Sequence, residues 1–336
     1  MALPDFFVIG VPKAGTTALH VALARHPQVF MSRVKEPKFF LCDGPPPARG
    51  GPGDAKSFRE RIWRREEYEA LFADAPAGAL RGESSPFYLY DAAAHHRIRD
   101  AVPHAKLIAL LRHPVDRAHS NWAHLWSAGL EPERDFLAAC AREPQRAAAG
   151  WAEFWRYLDL GRYGEQLRRL LTVFPRAQVL VLHYRELCED PGAALDRICA
   201  FLGVARGVVH EVPVQNVTTH ASDSRGNRVL STALRVVSEV DARLPGSWSG
   251  GAERWLSQRL QSEQRTRQPL TAHQRARLLP WFADDIRLLE RITGASYAAW
   301  LDSAQPDNGP AARPEGKFGT AYRSIDRPLE DEGSGL

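Results

Sequence analysis

Two segments of the chain carry residues whose types and spacing suit anion chemistry. The first runs Phe6-Phe7-Val8-Ile9-Gly10-Val11-Pro12-Lys13-Ala14-Gly15-Thr16-Thr17, an apolar run that opens into a glycine-bounded loop and then a helical pattern to Arg25. A strand, a tight loop and a helix N-terminus in that order aim backbone N–H groups and the positive end of the helix dipole at one point. The Gly10-to-Gly15 spacing is that of a P-loop, yet the lysine that should follow the second glycine sits at Lys13, with Thr16 in its place. The displacement argues for a phosphate-like ligand other than a magnesium-bound triphosphate. The alternative is an ordinary strand-to-helix turn that happens to contain glycine.

The second segment runs Lys106 to Trp122. Its apolar stretch ends in Arg112-His113-Pro114, and Ser120 follows on the next helix. A nucleoside triphosphatase keeps a magnesium-binding aspartate just after such a strand; here Arg112 takes that place. A guanidinium at a strand end with a helix serine beyond it suits a second phosphate. Alone, the pair reads as a surface arginine and a helix serine. Combined with the first loop, it reads as one of two anion sites.

Strand-like and helix-like patterns alternate along the chain, as the elements that position these loops require. Leu80 to Tyr90 reads as a strand edge, Lys106 to Leu111 as a short buried strand and Gln178 to His183 as another. Helical patterns cover Phe58 to Phe72, Gly161 to Phe174, Pro191 to Leu202, Val229 to Leu244 and Thr271 to Ile292. Pro114 can open its helix at the first position. The succession fits right-handed strand–helix–strand units on a parallel sheet. Asp43 to Asp54, dense in proline and glycine, reads as an exposed loop. We expect one domain over residues 1–302 and a disordered tail over 303–336, rich in Pro, Gly, Asp and Glu.

Composition narrows the function classes. The chain has 336 residues, 44% of them apolar, and a net charge of +4, too small to argue for nucleic acid. Arginine greatly outnumbers lysine, which favours forked contacts with phosphates but equally follows from GC-rich coding. Cys42, Cys140, Cys188 and Cys199 show no metal-ligand spacing, and Cys199 falls among Leu195, Ile198 and Leu202 as a helix core position. A reduced, cytoplasmic setting is the expectation. No signal-peptide pattern or membrane-length apolar run is visible. We expect no nucleic-acid partner and no stable membrane insertion; a homodimer is compatible with this size.

The two segments together resemble the donor-binding motifs of sulfotransferases that use 3′-phosphoadenosine 5′-phosphosulfate (PAPS). Pro12-Lys13-x-Gly15-Thr16-Thr17 resembles their 5′-phosphosulfate loop, and Arg112-x-Pro114-x-x-Arg117-x-x-Ser120 their 3′-phosphate motif. His26-Pro27, Glu36-x-x-Phe39-Phe40, Glu83-x-x-Pro86-x-Tyr88, Gly161-x-Tyr163 and Phe201-Leu202-Gly203 follow in the family's order, from about Phe6 to Trp300. The pattern is nearest that of the glycosaminoglycan and carbohydrate type, in a bacterial-looking member.

The resemblance implies a single α/β domain, a central parallel sheet flanked by helices in a P-loop-like sulfotransferase fold. It implies that Lys13, Ala14, Gly15, Thr16 and Thr17 hold the 5′-phosphate and that Arg112 and Ser120 hold the 3′-phosphate. Arg225, Gly226 and Arg228 would close a basic loop over the donor, or simply form a solvated loop. Lys13 would stabilise charge on the leaving phosphate oxygen, with no metal required. Glu36 stands where the family's glycosaminoglycan enzymes keep their general base; alternatively it only pairs with Lys35 or Lys38 at the surface, and a histidine base is the weaker alternative, since His113, His119 and His124 do not match the place of the histidine in the small-molecule enzymes. The family glutamate at Glu83 is usually followed by lysine, here Ser84, so Glu83 is either an acceptor contact or structural, and Lys38, or else Lys35, a stand-in for the missing lysine contact. Trp122 could stack on adenine, and Trp151, Phe154, Trp155 and Tyr157 could line an acceptor cleft, although both would look the same as core packing. The implied reaction moves a sulfonate from PAPS to a hydroxyl, or secondarily an amine, of a carbohydrate or a glycosylated or lipid-linked natural product. A small-molecule P-loop kinase and a non-catalytic nucleotide-binding scaffold are the alternatives.

Overall fold

The computed structural model describes residues 2–44, 50–213 and 269–302. Five parallel strands form the sheet: β1 (Phe6–Gly10), β2 (Val29–Met31), β3 (Leu80–Ser84), β4 (Lys106–Leu111) and β5 (Val179–His183). Their spatial order is β2-β3-β1-β4-β5. The chain therefore leaves central β1 toward one edge, returns through β3 and then builds β4 and β5 on the other side. In open parallel sheets, ligands bind beyond the carboxyl ends of strands where the winding reverses. Here that point lies between β1 and β4.

The strands form because their residues can be buried on both faces. Every residue of β1 is buried, and β4 is buried from Leu107 to Leu111. Continuous apolar runs of this kind belong in parallel sheets covered by helices. β1 pairs with β4 from Phe6↔Lys106 to Val8↔Ile108, and β4 with β5 from Leu107↔Val179 to Leu111↔His183. On the other side Phe6 opposes Gly82. A Cβ at Gly82 would lie 2.2 Å from Phe6 Cζ, so the large ring is accommodated only because position 82 is empty. β3 lies inside the sheet between β2 and β1, not at an edge as its sparse apolar pattern suggested.

Helices Thr16–Leu23, Ala92–Ala101, Pro114–Ser127, Tyr163–Leu171, Pro191–Leu202 and Ala283–Thr293 account for most of the helical structure described. Two expected long helices are each divided. Phe58 to Phe72 is interrupted between Asp54–Arg59 and Arg65–Ala70, where the Ile62 N–H leaves the helical ladder for Pro37 O at 2.9 Å. Thr271 to Ile292 breaks at the Leu279–Trp281 turn, because Pro280 has no N–H to continue the ladder. Cys199 is buried in its helix, as its neighbours implied. Among the described residues, no helix is long and apolar enough to cross a membrane. The expected helix at Val229 to Leu244, the loop residues Arg225, Gly226 and Arg228, and the tail 303–336 lie outside the described residues.

Candidate active site

The loop after β1 is shaped to leave its N–H groups facing outward. Lys13 (φ 69°) and Gly15 (φ 84°) both adopt left-handed backbone conformations, and no side chain caps the helix that starts at Thr16. The first N–H groups of a helix have no intrahelical acceptor, so this terminus is available to an anion. Glycine at position 15 answers two demands: the left-handed φ, and the ring of Tyr184, whose Cε2 would lie 2.9 Å from a Cβ there.

Tyr184 directly follows β5 and also carries the second anion-binding element. The Arg112 guanidinium lies 5.0 Å from the Tyr184 ring centre, a cation–π contact. Arg112 Nη1 donates to Lys13 O at 3.0 Å, joining the loop after β4 to the loop after β1. The Tyr163 hydroxyl fixes the backbone beneath by donating to Arg112 O at 2.9 Å. Among the described residues Arg112 Nε is buried with no hydrogen-bond partner, an orphaned donor of the kind an anionic oxygen satisfies. The loops from two neighbouring strand ends thus meet at the winding reversal through the Arg112 guanidinium and the Lys13 carbonyl. Ser120 follows on the Pro114–Ser127 helix and is nearly buried.

A second cluster forms beyond the carboxyl ends of β2 and β3. Glu36 and Lys38 also have positive φ, 61° and 57°. Non-glycine residues held this way cost of order 1–3 kcal/mol each and concentrate at functional sites. The Glu36 N–H donates to Ser84 O at 3.0 Å, and the Lys38 N–H donates to Ser85 Oγ at 3.1 Å. The Glu36 carboxylate, 27% exposed, pairs with Lys35 Nζ and lies 3.6 Å from Lys38 Nζ. Burial acts to raise its pKa, but the two ammonium charges outweigh this and hold it below the usual value. The pairing with Lys35 and Lys38 is present and leaves part of the carboxylate accessible.

His124 links the two clusters. It shares a helix face with Ser120, one turn further on, and its ring meets Phe154 edge-on at 5.7 Å. Enclosure by the surrounding protein and the Lys13 charge lower its pKa to about 4, while the Glu36 charge opposes them. The ring is thus neutral at physiological pH and within electrostatic reach of both Lys13 and Glu36. Neither His124 nor Tyr184 was assigned to the site from sequence. The spacing from Ser120 to His124 was the available signal for the first; Tyr184 had none.

Other expected contacts fall elsewhere. Glu83 is fully buried, so its carboxyl cannot touch an acceptor in the cleft. It accepts from the hydroxyls of Tyr68 and Tyr88, and burial raises its pKa to about 7 against the pull of the surrounding hydroxyls of Ser85, Tyr68 and Tyr88. Its place is beneath the segment that carries Glu36 and Lys38. Arg117 is likewise fully buried, donating to Tyr157 O. Trp122 packs against Trp126 and Phe136 and donates to Glu133 O, which makes it a core residue. Trp155 and Tyr157 are buried around Arg146, Trp151 lines a separate surface cavity with Phe58 and Arg61, and Phe154 meets the rings of His124 and Phe87 edge-on.

Comparison with known proteins agrees with this geometry. Residues 51–206 match the family model described as the sulfotransferase family. The chain is 30% identical over 207 residues to heparan sulfate glucosamine 3-O-sulfotransferase 6 of Mus musculus, covering 61% of this chain and 54% of that protein. It is 30% identical over 210 residues to bifunctional heparan sulfate N-deacetylase/N-sulfotransferase 3 of Homo sapiens, covering 60% of this chain and 22% of that one. The chain thus spans about a half and about a fifth, respectively, of these relatives' lengths. A crystal structure of a sulfotransferase from Alicyclobacillus acidocaldarius superposes with a TM-score of 0.68 at 28% identity, covering 90% of this chain and all of that one.

Proposed function

This chain belongs to the sulfotransferase family, and on that premise we propose that it transfers the sulfonate of PAPS to a hydroxyl, or secondarily an amine, of a carbohydrate or glycosylated acceptor. The observation that carries the reading is the contact between Arg112 and the Lys13 carbonyl, which brings two anion-binding elements side by side. PAPS presents two separate anionic groups, at its 5′ and 3′ ends. The loop Lys13–Thr17 suits the 5′-phosphosulfate, and Arg112 with Ser120 suits the 3′-phosphate. The orphaned Nε of Arg112 and the uncapped helix at Thr16 fit this donor.

In the proposed reaction the acceptor oxygen attacks sulfur and forms a new S–O bond. The bond from sulfur to the 5′-phosphate oxygen breaks, and that oxygen keeps the electron pair. The Lys13 ammonium stabilises the charge developing there, an effect typically of about two to three powers of ten in rate. Glu36 takes the acceptor proton. Lys35 and Lys38 keep Glu36 ionised and orient it, while neutral His124 is placed to hydrogen-bond the acceptor between the two. Glu83 supports the Glu36 segment from below. The carbohydrate acceptor is inferred from the two heparan sulfate relatives and from the position of Glu36 before Phe39-Phe40.

Calorimetric titration with adenosine 3′,5′-bisphosphate, set against ATP with magnesium, tests the donor assignment. We expect micromolar bisphosphate binding that is lost in Arg112→Ala, with little ATP binding. Preference for magnesium-ATP, or no bisphosphate binding, would refute it. Transfer of labelled sulfonate to a panel of N-acetylated heparosan oligosaccharides, against non-glycosylated phenols, then tests the acceptor class.

A further inference from the structure

Arg112 rests on three supports: the Lys13 carbonyl, the Tyr184 ring and the Tyr163 hydroxyl under its backbone. The segment 269–302, far away in sequence, is attached beside each of the two aromatic supports and to the helix start beyond Arg112. Arg275 makes a two-pronged ion pair with Asp116 in the first turn of the Pro114–Ser127 helix, at 2.5 and 2.8 Å. Both side chains are only 5% exposed. His113, adjacent to Arg112, has its Nε2 3.1 Å from Trp300 O. The Trp300 ring packs 6.1 Å from the Tyr163 ring and 5.3 Å from the ring of His183, the residue that leads into Tyr184. Tyr297 stacks on His183 at 4.3 Å.

An ordinary core contact would not need this arrangement. A buried Arg–Asp pair is expensive to desolvate and is weak evidence for stability as such, whereas its fork geometry fixes orientation strongly. The pair sits one helical turn from Arg112, and the Trp300 cluster sits behind both aromatic supports. We propose that Arg275 and Trp300 are positioning residues for the 3′-phosphate of the donor, acting through Arg112. Segment 269–302 is then part of the donor site although it touches no nucleotide. This inference rests on the proposed PAPS reading.

The test compares affinities for adenosine 3′,5′-bisphosphate and adenosine 5′-monophosphate, which differ only in the 3′-phosphate, by calorimetry. For Arg275→Ala we expect bisphosphate affinity to fall about tenfold with monophosphate affinity unchanged within about twofold, so that discrimination drops. Arg275→Lys, which keeps charge but loses the fork, should give an intermediate ratio. Asp116→Asn gives a second, milder route if Arg275→Ala does not fold. Because the effect runs through Arg112, adding Arg275→Ala to Arg112→Ala should lower discrimination no further. An unchanged ratio, a parallel loss for both nucleotides, or additive losses in the double variant would each overturn the inference. Failure of the wild type to discriminate between the two nucleotides would instead refute the donor assignment itself.

Discussion

Replacing Gly15 with alanine strains the donor loop in two separable ways. The backbone there has φ 84°, where a residue bearing a Cβ is disfavoured by about 1–2 kcal/mol. The new Cβ would also lie 2.9 Å from Cε2 and 3.2 Å from Cδ2 of Tyr184. Overpacking of that kind costs about 1–3 kcal/mol, so the combined loss should be roughly 2–5 kcal/mol. Only the second part depends on the ring. In the double variant Gly15→Ala/Tyr184→Ala the clash disappears while the backbone strain stays. The double loss should therefore fall short of the sum of the single losses by about 1–3 kcal/mol. Urea unfolding of the four proteins, followed by circular dichroism, measures the cycle. Additivity to within about 0.5 kcal/mol would show that Tyr184 does not pack against the loop. A Gly15→Ala loss below about 1 kcal/mol would refute the left-handed loop geometry itself.

Two further outcomes follow from the carboxylates. Only ionised Glu36 can accept a proton, so kcat/KM should fall as pH drops through its pKa; the lysines hold that limb below the ordinary glutamate range, and Lys35→Met should move it toward neutrality. A pH–rate profile whose acid limb stays put in Lys35→Met would contradict the role of the pair. Glu83 has a folded-state pKa raised from 4.5 to about 7, so it favours the folded state fully below about pH 4.5, and this contribution is lost as pH rises through about 7. Over that window the loss is up to about 3 kcal/mol, at 1.36 kcal/mol per unit. Glu83→Gln lacks this loss, so its stability relative to wild type should improve by about that amount between pH 4 and pH 8. A pH-independent difference in urea midpoints would exclude the buried carboxyl account.

The elements proposed to bind the donor were legible in the sequence because each is local. An apolar run, a glycine that must turn left-handed and a helix start lie within Phe6 to Thr17. Arg112 stands at the end of its strand next to Pro114, which opens the helix as expected. Strands and helices with strong local patterns, such as Lys106–Leu111 and Pro191–Leu202, appear with the expected bounds. β2 was not anticipated, because three residues of strand carry no measurable period. The interior position of β3 was not anticipated either: Gly82 and Glu83 look unlike a buried strand until Phe6 fills the space above the glycine and the hydroxyls of Tyr68 and Tyr88 donate to one carboxyl oxygen of Glu83.

The sequence by itself determined the residues on which the proposed chemistry rests: a lysine in a glycine-bounded loop, an arginine at a strand end and a glutamate before two phenylalanines. Tertiary structure decided how they meet. The contact of Arg112 with Lys13 spans 99 positions and the grip of Arg275 on Asp116 spans 159. No local pattern encodes such pairs, since they arise only when parallel strands set distant loops side by side. Burial, too, is a property of the packed molecule: it closes Glu83 off from solvent and sets Trp122 in the core, and only the fold brings the charges of Lys13 and Glu36 to bear on His124.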